Sequence, residues 1–387
     1  MAETGPARDE TASVRRRTLL ASTAAAAAGV LAPATAAQAA AAPHDRLKAG
    51  PGSASVAGLL TVADGDRDLE WITTALQVAV ELELCTIPPY LCAWWSVKDR
   101  AGEAARLIRR VIDDEMYHLG VVCNLLVAVG GQPRIKEAAP AYPCPLPGGV
   151  RTGVTVYLSG LTRPFVHDVM MAIETPEAPL ARDVPGSPTI GSFYDGLLTA
   201  FRTTAPSLSA DRQLSTRIGT DDLQPALTLD DVERSLEAVK EQGEGTTASP
   251  ADSFGDDQPA HYYAFGEIYH GRRLQKAGSN WDFTGEPVPF PDTRPMTGTP
   301  CETWPAPPAH TGQLMDTFDA AYHAVLDSLD AAWAGGGARS LDAAVHGMRG
   351  LEPIAVELME TAMPGTTSTY GPRFRPPPAS ENTITGA

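Results

Sequence analysis

Apolar residues recur at helical spacing along most of this chain. From Leu69 to Leu84 they fall on one face of a 3.6-residue period, which predicts a helix over about 66–98. Pro88-Pro89 should break or kink it, because proline lacks the backbone donor and crowds the preceding turn. A second helix is predicted from about Ala101 to Val129, stopped by Gly130-Gly131 and Pro133. The loop 132–153 is rich in Pro and Gly. A third helical stretch ends at Glu174, closed by Thr175-Pro176, and residues 175–190 read as irregular. Ser192–Thr204 reads as a shorter helix. Another starts at a Thr228/Asp231 cap, runs to Gln242 and stops at Gly243. After a polar loop over 245–259, His261–Ala277 is again helical in pattern. Residues 278–310 are Pro-rich and extended, and helices over about 311–334 and 338–362 flank Gly335-Gly336-Gly337. No strand alternation of any length and no short repeat appears, so the chain reads as mainly α with long irregular connections.

Composition adds a surface and an address. Of 387 residues, 47 are acidic and 30 basic, a formal charge of −17 that argues against a nucleic-acid partner, since phosphate binding needs clustered Lys and Arg. The first forty residues stand apart. Arg15, Arg16 and Arg17 precede Thr18-Leu19-Leu20, then an Ala-rich run ends in small residues near Ala36–Ala42. That is the layout of an export signal, and its paired arginines match the twin-arginine type, which carries folded, cofactor-loaded proteins. The expected location is therefore secreted or on the cell-envelope exterior. The apolar run is too rich in Ala for a permanent span, so no membrane segment is expected after cleavage. Of five cysteines, Cys85, Cys92 and Cys123 sit in apolar helical patterns and read as core. Cys144 and Cys301 are the pair left for an export-compartment disulfide.

The chemistry sits in two Glu-x-x-His motifs, Glu115-Met116-Tyr117-His118 and Glu267-Ile268-Tyr269-His270. Three-residue spacing puts carboxylate and imidazole on one helix face, where both can grip the same ion. Carboxylate-bridged di-metal bundles use two such motifs plus a single Glu from each of two further helices. Glu83 fits the first single position, on a helix otherwise apolar toward the core, while Glu81 points to the other side. The second is open between Glu174, which ends the apolar run Val169–Ile173, and Glu244, which precedes Glu267 much as Glu83 precedes Glu115. His167, seven residues before Glu174, would share its face, and His261 opens the last ligand helix. His323 and His346 read as surface or core residues. Tyr117, Tyr263 and Tyr269 stand beside ligands, as packing groups or electron carriers.

At these residues the chain resembles a known family. Leu82-Glu83-Leu84-Cys85-Thr86-Ile87-Pro88-Pro89-Tyr90-Leu91 and Asp114–His118 are similar to the ferritin-like domain of iminophenyl-pyruvate dimer synthases. So are Ile173–Glu177, Thr189–Tyr194, Gln242–Gly245 and His261–Ile268. The resemblance covers about 66–280. It implies a ferritin-like four-helix bundle with additional helices and long irregular loops. The expected layout is an export signal over 1–42, the metal-binding bundle over 66–280, and an extended segment with a helical pair over 281–387 packing on it. The named synthases couple two imine-form amino acids oxidatively. They are larger and intracellular, whereas this chain is short and carries an export pattern. The function expected is a non-haem oxidoreductase acting with O₂ on a small organic substrate, as a monomer or oligomer. Its ligands would be Glu83, Glu115, His118, Glu267 and His270 with Glu174 or Glu244, holding two ions of iron, or manganese in its place. The alternative is a non-catalytic iron-binding or storage protein.

Overall fold

A computed structural model describes residues 54–176, 189–244, 249–251, 258–278 and 280–377; the export-signal region lies outside them. The α elements, in chain order, are α1 Val56–Leu60, α2 Leu69–Ser96, α3 Glu103–Ala128, α4 Ile135–Ala138 and α5 Arg163–Phe165. They continue with α6 Ile190–Thr204, α7 Leu229–Glu244, α8 His261–His270, α9 Ala309–Ala331 and α10 Gly337–Glu360. Three antiparallel hairpins of two or three residues per strand decorate the loops. They are β1 Cys144–Pro145 with β2 Thr155–Val156, β3 Thr216–Ile218 with β4 Asp221–Leu223, and β5 Gln275–Ala277 with β6 Asn280–Asp282. The fold is mainly α, as the periodicity predicts. Among the described residues no helix is long and apolar enough to cross a membrane.

The centre is the pair α2 and α3, joined by a six-residue connection, so the two helices run antiparallel and pack along their length. Their facing stripes are almost wholly buried, from Trp71 to Trp95 on α2 and from Ala104 to Val127 on α3. The helix that begins at α5 and α8 complete a four-helix arrangement around the middle of that pair, and α6 and α7 lean on its flank. The Thr228/Asp231 cap predicted from sequence is in place, and α6 carries a similar one. Thr228 and Asp231 bond each other's backbone amides at the start of α7, and Thr189 with Ser192 does the same for α6. The C-terminal pair α9 and α10 belongs to the same compact unit as the bundle. Trp95 of α2 stacks on Phe374, and Trp333 donates to Asn124 of α3 at 2.9 Å.

Three local expectations fail, each for a visible reason. First, α2 runs unbroken through Pro88 and Pro89. Pro89 has no N–H for the Cys85 carbonyl one turn back, and the buried Tyr142 hydroxyl donates to that carbonyl instead, at 2.8 Å. Tyr142→Phe should therefore cost about 1–3 kcal/mol by orphaning a buried acceptor, read from denaturant unfolding. Pro89→Ala restores an N–H, so in that background the cost should shrink; an equal cost in both would refute the substitution of one donor for another. Second, the predicted helix 261–277 ends at His270, because Gly271 turns left-handed (φ 73°) and the chain enters the β5–β6 hairpin. Third, the stretch after α5 widens into a π-helical turn over Val166–Met171 before closing at Glu174. Seven residues no longer make two turns there, so His167 leaves the face of Glu174. It lies exposed, paired with Asp168 and with its ring tilted against Tyr269.

Candidate metal centre

Four helices each present ionisable side chains to one buried spot. Glu83 comes from α2, Glu115 and His118 from α3, Glu174 from the end of the π-helical stretch, and His261 from the first turn of α8. All five are at most 7% exposed. Glu83 and Glu115 meet because each lies at nearly the same distance from the α2–α3 connection. Among the described residues two groups bring ligand atoms within 4.8 Å of one another: Glu83, Glu115 and His118, and Glu115, Glu174 and His261. Glu115 belongs to both. The imidazoles of His118 and His261 lie nearly parallel, with ring centres 5.5 Å apart.

Each ligand candidate is held by a neighbour through the atom that does not face the cluster. The Gln242 amide nitrogen donates to Asp221 at 3.1 Å, which turns its oxygen toward His118 Nε2 at 2.8 Å. His118 Nε2 must then carry a proton, and Nδ1, 3.6 Å from Glu83 and 3.9 Å from Glu115, is the nitrogen that faces the cluster and offers a lone pair once it sheds its own proton. His261 repeats the device with a charged acceptor. Its Nε2 donates to Asp114 at 3.1 Å, and Arg110 holds that carboxylate from the other side. The backing of an imidazole by a carboxylate or amide is the usual support of a metal-bound histidine. Hydroxyl donors tie the carboxylates: Tyr194 to Glu83, Thr86 to Glu115 at 2.7 Å and Tyr90 to Glu174 at 2.5 Å.

Burial and mutual proximity set the charges of the cluster. Burial, then Glu174, pushes Glu115 up to about 7. Burial opposes a charge on His118, but Glu83 and Glu115 outweigh it and hold the imidazole at about 9. Burial likewise opposes a charge on His261, yet Asp114, Glu115 and Glu174 raise it well above the usual histidine range. Burial raises the phenols of Tyr90 and Tyr194 far above ordinary tyrosine, so they remain donors. Protons thus sit where cations would. One atom is not satisfied even so. His261 Nδ1 lies 2.9 Å from Glu115 and 3.6 Å from Glu174, but it is buried without an aligned hydrogen bond among the described residues. Three carboxylates and two imidazoles, one of which carries this orphaned nitrogen, make a buried donor set that could hold metal.

The structure brings together Glu83, Glu115, His118 and Glu174 of the sequence candidates and leaves out the other three. The Glu244 carboxylate accepts the Gly191 amide at the start of α6, joining α6 to α7. Glu267 is buried, but its carboxylate accepts the Leu274 amide at 2.8 Å and faces Arg273 at 3.5 Å, locking the turn after α8. His270 is exposed and stacks on Phe283 with ring centres 4.4 Å apart. The second Glu-x-x-His motif therefore does not reach the cluster. His261 takes the place expected of His270. Asp114, Gln242, Thr86, Tyr90 and Tyr194 carry supporting roles that no spacing rule flags. Tyr117, Tyr263 and Tyr269 touch none of the cluster carboxylates through their hydroxyls.

Comparison with known proteins agrees with this fold. No curated protein matches the chain significantly. A solved ferritin-like protein from Caulobacter vibrioides shares the fold with a TM-score of 0.57 at 23% identity, over 79% of this chain and 97% of its own. A family model described as ferritin-like matches residues 76–270, which hold all five cluster residues, and the chain belongs to the ferritin-like family.

Proposed function

We propose that this chain is an exported di-metal oxidoreductase, holding two iron ions, or manganese in their place, on Glu83, Glu115, His118, Glu174 and His261. The observation that supports it most is the sharing of Glu115 between two three-ligand groups, each with its own imidazole. Bound iron supplies one-electron chemistry toward O₂. The chain's own residues do the rest. Glu83, Glu115 and Glu174 balance the cation charge, and Asp114 and Gln242 fix which imidazole nitrogen faces inward. The apolar walls of α2 and α3 exclude water. Tyr90 and Tyr194 donate hydrogen bonds to Glu174 and Glu83 and so fix which oxygen of each carboxylate faces the cluster.

The substrate class follows the family resemblance: a small organic amine or imine oxidised at the expense of O₂. A groove of about 630 Å³ between α2 and the Gly130–Arg134 turn touches no cluster residue, and we do not assign it to substrate. The experiment is metal analysis of protein purified from its native compartment, followed by O₂ uptake with small amines as electron donors. Two ions per chain with sustained uptake support the enzyme. Uptake that stops once the bound iron is oxidised assigns the chain to iron storage instead. N-terminal sequencing of the same preparation checks the export element, which predicts a start near Ala36–Ala42.

Loading also has a proton signature. Both imidazoles and part of the Glu115 population are protonated at pH 7 in the metal-free chain, and ligands must shed those protons to bind. Metal addition at pH 7 should release about two protons per chain, and affinity should weaken as pH falls. Calorimetry in buffers of different ionisation heat measures this; identical heats in all buffers would exclude it.

A further inference from the structure

Cys85 and Cys144 lie outside the cluster chemistry and face each other, with sulfurs 3.9 Å apart. Both backbones are pinned. Cys85 sits in the middle of α2, fully buried, and its carbonyl is bonded by Tyr142. Cys144 begins β1, held in register opposite the buried Val156, and is only partly buried. A disulfide needs the sulfurs at about 2.05 Å, so each has about 1 Å to travel, which small side-chain rotations supply without moving the backbone. The other thiols have no such neighbour among the described residues. Cys92 and Cys123 are sealed in the core, and Cys301 bonds the Glu302 carboxylate at 3.1 Å. The sulfur neighbour of Cys144 is thus Cys85.

We propose that Cys85 and Cys144 are a redox pair that closes to a disulfide in an oxidising compartment, stapling α2 to the loop beyond α3. The inference does not depend on the metal reading. The oxidant is a low-molecular-weight disulfide. The Cys144 thiolate, the accessible one, attacks a sulfur of that molecule and releases one small thiol. Cys85 attacks the Cys144 sulfur and passes its proton to the departing thiolate, which leaves as the second small thiol. Two protein thiols are oxidised and one external disulfide is reduced. The ring so closed spans 59 positions and encloses the whole of α3, with Glu115 and His118. The staple holds the ligand helices together whether or not a cation is bound.

The test is exposure of the full chain to oxidised glutathione, followed by thiol counting in denaturant, peptide mapping without reductant, and thermal unfolding. The expected result is loss of two of the five thiols. It comes with a Cys85–Cys144 linked peptide and an unfolding midpoint higher by about 5–10 °C than in the reduced chain. Cys144→Ser should abolish the linkage and the midpoint difference, while Cys301→Ala should keep both. Five thiols surviving the oxidant, a glutathione adduct that stays on Cys144, or a link to any other cysteine would overturn the proposal. The reduced and oxidised forms of the unmutated chain supply the comparison even if a variant misfolds.

Discussion

Glu115→Ala is expected to empty both metal positions at once, taking the metal content from two ions per chain to near none. No other single ligand should do so. Glu83 and His118 serve one group and Glu174 and His261 the other, so their removal leaves three candidate ligands on the far side intact. Stability separates this from simple damage. A bound ion stabilises only the folded state, by about 4 kcal/mol when free metal stands a thousandfold above its dissociation constant. Metal should therefore raise the unfolding midpoint of the parent and leave that of the variant unmoved. Without metal the order differs. Burial and the nearby Glu174 raise the folded pKa of Glu115 above its unfolded value. Its contribution is then favourable below about pH 4.5 and becomes a cost as pH rises through about 7. Above pH 7 the isosteric Glu115→Gln should make the metal-free chain no less stable than the parent, and more stable if the ionised carboxylate dominates. A Glu115→Ala variant that still binds two ions would remove the shared-carboxylate site and the enzyme reading with it.

The parts of this site that could be read in the sequence are those on long regular helices. Glu83, Glu115 and His118 lie on α2 and α3, where a 3.6-residue period runs unbroken for many turns and the polar exceptions on a buried stripe stand out. Glu174 was separable from Glu244 in principle, because the run before it is wholly apolar whereas α7 is polar over most of its surface. What misled was the resemblance in spacing between Glu244–Glu267 and Glu83–Glu115. Spacing says nothing about which end of a helix points at a site. Features that depend on tertiary contact were not legible at all. The Tyr142 hydroxyl that takes up the carbonyl left free by Pro89 comes from a distant loop. The π-helical turn that moves His167 to the surface has no residue signature here. Tyr90, Tyr194 and Gln242 acquire roles only when their helices are packed.

The two imidazoles have unequal support, and that sets the order of loading. His118 leans on a neutral amide, while His261 leans on an ionised Asp114, which burial opposes but the His261 and Arg110 contacts keep charged. A carboxylate partner raises the basicity of the imidazole it backs. The Glu115, Glu174 and His261 position should therefore fill first. Asp114→Asn should weaken that step by about 10–100-fold, the usual range for an outer partner of a metal-bound histidine.

His261→Ala and His270→Ala form the sharpest contrast between spacing and structure. By spacing, His270 belongs to a Glu-x-x-His motif and His261 does not. By structure, α8 meets the cluster with its first turn. Glu267 lies about 9 Å and His270 about 13 Å further along the axis at 1.5 Å per residue. His261→Ala should cut metal content from two ions to one. The affinity at the Glu115 and Glu174 position should fall by more than the 10–100-fold expected of an outer partner. His270→Ala removes a surface ring stacked on Phe283 and should leave metal content and affinity unchanged. Glu267→Ala should lower stability through the lost Leu274 and Arg273 contacts, again with two ions retained. Metal-to-protein ratio and calorimetric titration on the three purified variants decide the matter. Loss of an ion in His270→Ala, with two retained in His261→Ala, would restore the second Glu-x-x-His motif as the ligand pair and require α8 to enter the bundle at its other end.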